Sequence, residues 1–205
     1  MQQNNKYIRL AADLQTDSIV DGPGLRAVLW TQGCNHHCKG CQNPQTWSFD
    51  GGGLVPVSLV LDEIDKLEYH TGLTLSGGDP MYQVEPCLEI VKYARKKGLN
   101  IWVYTGFTFE ELMKLNEKNP IYLEFLKEVD VLVDGRFILE QRDLNLLFRG
   151  SRNQRLIDVQ KTLSEGKIIL LNESLYNEEE MFKKEPMFIW HWFLYFPWLL
   201  VSNMI

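Results

Sequence analysis

Between residues 26 and 133, short β-branched or aromatic runs alternate with amphipathic stretches, and that alternation sets the fold class before any single motif is considered. The strand-like runs cover 26–32, 73–75, 100–104 and 129–133; the helix-like ones cover 57–69, 84–97 and 109–118. Strands interleaved with helices predict βα units and a mainly parallel sheet. Leu59, Ile64 and Leu67, then Leu88, Val91 and Ala94, recur at three-to-five-residue intervals, the spacing of helices that lie on such a sheet. The 205 residues suffice for one well-cored domain and hardly for two. The strand-like runs end in turns carrying Gly33, Gly77 with Gly78, Gly106, and Gly135. Glycine lets a ligand approach the backbone closely, and ligands of parallel α/β folds sit at the carboxyl ends of the strands.

Three of the four cysteines stand on the first of those turns, as Cys34, Cys38 and Cys41 in GCNHHCKGC. Three thiolates at C-x3-C-x2-C spacing can bind three irons of a [4Fe–4S] cube and leave the fourth without a protein ligand. The alternative is zinc, which wants four ligands and normally draws them from two separated pairs; His36 or His37 would have to supply the fourth. Otherwise those histidines read as polar loop residues. Cys87 falls in an amphipathic helical pattern and reads as a small buried hydrophobe.

The formal net charge of −6 argues against a protein that holds nucleic acid by neutralising phosphates. The first ten residues, MQQNNKYIRL, lack the apolar run of a secretory signal. The expected location is therefore the cytoplasm, where clustered cysteines are metal ligands rather than disulfides.

The remaining motifs are DGPGLR at 21–26, NPQTW at 43–47, LSGGDP at 75–80, VYTGF at 103–107, VLVDGRF at 131–137 and RGSRNQR at 149–155. With the cysteine triplet, the first three resemble the glycyl-radical-enzyme activases of the radical S-adenosylmethionine superfamily. The last three resemble one branch, the activating proteins of anaerobic (class III) ribonucleoside-triphosphate reductases. The resemblance covers about residues 7–160. It implies an incomplete parallel (βα) barrel with its cluster loop after the first strand, and an oxidoreductase that cleaves S-adenosylmethionine reductively to a 5′-deoxyadenosyl radical. The radical's target would be a glycine in the large reductase subunit, and the electron would come from a donor such as flavodoxin or ferredoxin. Activation of another glycyl-radical enzyme and a zinc-stabilised, non-catalytic binding module are the competing functions.

Carried over residue by residue, the resemblance assigns Cys34, Cys38 and Cys41 to the cluster. It places Gly40, Cys41, Gln42, Gly78 and Asp79 against S-adenosylmethionine, with Asp79 accepting from its ammonium group. The local reading of Asp79 is a helix cap. Arg26, Tyr104, Thr105 and Asp134 are candidates for the pocket wall, and residues 149–155 for contact with the adenosyl group or the protein substrate. Many radical enzymes carry an aromatic residue just before the last cysteine; here it is Gly40, so the adenine must pack elsewhere.

An activase domain is expected over residues 1–172, with an atypical extension over 173–205. Residues 186–205 contain no Lys, Arg, Asp or Glu, and about 20 apolar residues suffice to span a bilayer. Membrane contact by this stretch, packing against protein, and an extension unrelated to activity are all open readings.

Overall fold

The computed structural model describes residues 6–176. The chain divides into two compact units, Met1–Leu171 and Asn172–Ile205. Of the second, only residues 172–176 are described, and Glu173–Tyr176 form a 3-10 turn there. The apolar stretch at 186–205 lies outside the described residues. No described helix is long and apolar enough to cross a membrane.

The first unit is a mixed α/β layer structure. In chain order its elements are β1 (Tyr7–Leu10), β2 (Gln15–Ser18), β3 (Arg26–Thr31), β4 (Gly53–Pro56), α1 (Val57–Asp65), β5 (Gly72–Gly77), α2 (Val84–Lys96), β6 (Asn100–Tyr104), α3 (Phe109–Asn116), α4 (Ile121–Leu126), β7 (Val131–Asp134), β8 (Arg155–Asp158) and α5 (Val159–Glu165). The sheet runs β4-β1-β3-β5-β6-β7-β8, with β2 also paired to β3. The inner four strands, β3-β5-β6-β7, are parallel, as the βα alternation requires. The outer strands are all antiparallel to their neighbours.

The sheet ends on β4 at one side and β8 at the other, so it is open and mixed. One expectation is corrected: the cysteine loop follows β3, which is the first parallel strand but the third strand of the chain.

Register explains the core. Leu29, Leu75, Val103, Leu132 and Ile157 are paired across five strands and form one fully buried row. Alternation along each strand directs this row to the face carrying the helices, where it joins Val60 and Ile64 of α1, Leu88, Val91 and Ala94 of α2, and Leu112 of α3. Leu59, read from its spacing as facing the sheet, is 53% exposed; the buried face of α1 is Val57, Val60 and Ile64. A second cluster, Trp102, Val131, Val133 and Leu156, packs the other face with Tyr104 and Phe148. Beneath it Arg26 is buried, donating to Thr74, Leu73 and Asn100.

Local chemistry sets the helix ends. Thr108 accepts from the Glu111 backbone N–H, and the Glu111 carboxylate accepts from the Thr108 N–H, a capping box that starts α3. Asp158 caps α5, and Gly166, at φ +67°, ends it in the left-handed region.

Candidate iron–sulfur and cofactor site

The carboxyl ends of the parallel strands open into a cavity of about 410 Å³. Cys34, Cys38 and Cys41 all line it, with Gln42, Asn43 and Trp47 from the same loop. Ser76, Gly77 and Gly78 come from the turn after β5, Tyr104, Thr105 and Gly106 from the turn after β6, and Gly135 and Phe137 from the turn after β7. Leu146, Phe148, Arg149, Gly150 and Gln154, with Val20, Asp21, Trp30 and His36, complete the wall.

The thiols are free. Burial pushes the Cys34 thiol up to about 11, opposed by a backbone N–H from His36. Burial also raises Cys38, opposed by the backbone N–H of Phe137 and by the Arg136 guanidinium. The Asn43 N–H donates to Cys41 Sγ at 3.4 Å. Each sulfur thus faces a backbone donor that would stabilise a thiolate, the form a metal requires. Among the described residues, no three His, Cys, Asp or Glu side chains converge on a point that could hold a single metal ion. Three free thiols lining one cavity, each beside a backbone donor, are a donor set of the kind that holds three irons of a cube. The residues therefore fit the [4Fe–4S] group.

The glycine-rich turn is shaped first by the backbone beside it. Gly78 N–H donates to Thr31 O at 2.7 Å and Asp79 N–H to Gly33 O at 2.9 Å. A Cβ on Gly77 would lie 2.5 Å from Thr31 O, and one on Gly78 would lie 2.5 Å from Gly33 O. No side chain fits at either position, because the two turns are laced directly together.

Two expected cofactor contacts stand outside the cavity wall. Gly40, at φ +75°, turns the loop so that a Cβ would meet Leu139 at 3.0 Å. Asp79 is 1% exposed, and its carboxylate accepts from the Thr105 hydroxyl, Gly106 N–H and Met81 N–H, each at 2.9 Å, with His36 Nε2 at 2.8 Å. Its bond to Met81 caps the 3-10 turn Pro80–Gln83, as the local reading has it. Arg26 and Asp134 are also outside the wall. Asp134 accepts from Phe109 N–H and from the Arg155 guanidinium, which also binds both oxygens of Glu110.

The polar residues of RGSRNQR fasten the neighbouring loop. Gln154 donates to Gly135 O and accepts from the N–H groups of Gly150 and Ser151; Asn153 donates to Arg136 O; Ser151 accepts from Ile138 N–H. The Tyr104 hydroxyl donates to Phe148 O at 2.8 Å, drawing residue 148 over the cavity. His36, the residue between two cysteines that sequence treats as a polar loop side chain, is 4% exposed. Only its long-range partner reveals it, and no local signal predicts that partner.

The family described as the 4Fe-4S single cluster domain matches residues 20–157. An anaerobic ribonucleoside-triphosphate reductase-activating protein of Haemophilus influenzae is 40% identical over 144 residues, 66% of this chain and 89% of the relative. The chain belongs to this family of activating proteins. Family members named in the same way occur in Escherichia coli, at 37% identity over 66% of this chain and 90% of the relative, and in enterobacteria phage T4, at 40% over 67% and 86%. The matched region of this family member contains the cysteine loop and every turn of the cavity. A crystal structure of QueE from Escherichia coli aligns with a TM-score of 0.42 at 17% identity, covering 50% of this chain and 53% of that one.

Proposed function

We propose that the chain is the activase of an anaerobic ribonucleoside-triphosphate reductase. The observation that carries this reading is the meeting of three free thiols and two glycine-rich strand-end turns around one cavity in a member of the activating-protein family. When bound, a [4Fe–4S] cluster at these thiols supplies one electron that splits S-adenosylmethionine into methionine and a 5′-deoxyadenosyl radical. The chain's own residues do the rest. Cys34, Cys38 and Cys41 would hold three of the cluster's irons, leaving the fourth without a protein ligand. Ser76, Gly77 and Gly78 floor the methionine moiety, and Gln42 flanks it. Phe137 and Phe148 supply the apolar surface for the adenine that Gly40 does not. Gly135, Phe137, Leu146, Phe148, Arg149 and Gly150 wall the same cavity.

The target in this reading is a glycine Cα–H of the large reductase subunit. A backbone radical flanked by amide groups is more stable than a primary alkyl radical, so hydrogen transfer runs downhill. A one-electron protein donor such as flavodoxin or ferredoxin, a cytoplasmic location and no nucleic-acid ligand complete the proposal. The open α/β sheet is read as the incomplete barrel of the radical S-adenosylmethionine type, with residues 1–172 as the working domain and 173–205 as an extension to it.

The test is anaerobic cluster reconstitution followed by reduction with S-adenosylmethionine, comparing wild type with Cys38→Ala. Cluster-dependent 5′-deoxyadenosine, a glycyl-radical signal on the reductase subunit, and loss of both in the variant are expected. Colourless zinc in place of iron, or an intact cluster without cleavage, would overturn the proposal.

A further inference from the structure

We infer that His36 is a positioning residue: through Asp79 it fastens the cluster loop to the two turns that floor the cavity, so that cluster and S-adenosylmethionine strengthen each other's binding. The inference rests on the functional reading above and concerns how the site holds together.

His36 lies between two cysteines with exposed neighbours, Asn35 and His37, yet its own side chain is buried. A polar ring is buried at a cost unless it is hydrogen-bonded. Nε2 lies 2.8 Å from Asp79 Oδ2, an oxygen that otherwise receives the Thr105 hydroxyl and Gly106 N–H, so Nε2 carries the hydrogen. The ring is set edge-on to Phe107, with centroids 4.7 Å apart. It covers Gly106 so closely that a Cβ there would come within 2.3 Å of it. One carboxylate therefore ties together the cluster loop through His36, the turn after β5 through its own backbone and Met81, and the turn after β6 through Thr105 and Gly106.

Those two turns contribute Gly77, Gly78, Thr105 and Gly106 to the cavity wall. Ordering the loop with a cluster orders the floor, and by linkage a ligand on the floor must favour the ordered loop to the same degree. A packing role alone needs the volume of the ring but not its donor, which makes the two readings separable.

The experiment uses the full chain, reconstituted anaerobically, as wild type, His36→Phe and His36→Gln. Two quantities are read: the S-adenosylmethionine dissociation constant, from its perturbation of the reduced-cluster electron paramagnetic resonance spectrum, and amide hydrogen exchange over residues 77–79 and 105–107 with and without cluster. In wild type, cluster loading slows exchange at both turns. In His36→Phe, the ring volume stays and the donor goes; the exchange coupling disappears and affinity falls roughly tenfold or more. His36→Gln, whose amide nitrogen can take the place of Nε2, recovers most of both. Wild-type affinity and coupling in His36→Phe, or no recovery in His36→Gln, would overturn the inference while leaving the activase reading intact. A wild-type chain that takes up no cluster or no S-adenosylmethionine overturns the functional reading and the inference with it. Should His36→Phe fail to fold by circular dichroism, His36→Asn, whose donor falls short of Asp79, replaces it in both assays under the same criteria.

Discussion

Replacing Gly78 with alanine asks whether the lacing between the glycine-rich turn and the cluster loop is as tight as the geometry indicates. The new methyl would stand 2.5 Å from Gly33 O and 2.9 Å from both Gly33 C and Gly33 N. These are backbone atoms, so no rotamer change relieves the contact. Retreat of either strand end lengthens the bonds from Gly78 N–H to Thr31 O and from Asp79 N–H to Gly33 O. Overpacking costs about 1–3 kcal/mol, and each weakened hydrogen bond adds about 0.5–1.5 kcal/mol. The sum, about 2–6 kcal/mol, is a large part of a stability of about 5–15 kcal/mol. Equilibrium urea unfolding of the cluster-free chain, followed by far-ultraviolet circular dichroism, should show a midpoint lowered by about 1–2 M. Gly53→Ala is the matched control, because a Cβ there meets nothing within 4 Å; it should be neutral or stabilise by up to about 1 kcal/mol. A Gly78→Ala midpoint equal to that of wild type would refute the claim that the glycine is there for backbone approach.

Three further outcomes follow from groups around the site. Arg155 holds the Glu110 carboxyl at about 2, against an ordinary 4.5; the folded value is the lower one, so the stabilisation is present above about pH 4.5 and is lost as pH falls toward 2. With the Glu110 side chain 54% exposed, screening limits it to about 1 kcal/mol or less. Glu110→Gln should therefore be slightly less stable than wild type near neutrality, with the gap closing in acid; a gap independent of pH would contradict the ion pair. Cys87 is wholly buried and burial raises its thiol, so Cys87→Ser should lose about 1–3 kcal/mol in thermal unfolding with iron content per folded chain unchanged. Iron loss would show that the residue takes part in the cluster site. Tyr104→Phe removes the bond to Phe148 O, worth about 1 kcal/mol, and should speed proteolysis within residues 144–150; an unchanged cleavage rate would show that the loop is held by other contacts.

The parallel core and the cysteine loop were legible because each is written locally. Apolar runs such as 100–104 declare strands, and C-x3-C-x2-C declares a cluster corner. The outer strands were not legible. β2 is QTDS, with three exposed residues, and β4 begins at Gly53 with two exposed positions; short, polar edge strands carry little hydrophobic signal. The helical period suggested Leu59 for the core, but the helix turns it outward and buries Val57 and Val60. Asp79 shows the limit at the site. Its sequence neighbourhood is equally suited to a cofactor contact and to a cap, and the partners that bury its carboxylate, Thr105 and His36, stand 26 and 43 residues away. The arginines behave alike: Arg26 and Arg155 serve buried or half-buried networks, which sequence cannot separate from ligand-facing charge.

The bonds from Gly78 to Thr31 and from Asp79 to Gly33 carry the sheet's hydrogen-bonding past the ends of β3 and β5, up to the residue before Cys34. Many small metal-binding modules are unfolded until the ion arrives, so that assembly of the centre and folding are a single event. Here the first ligand is mounted on the edge of an already formed core. Folding of the core and assembly of the centre are then separable events.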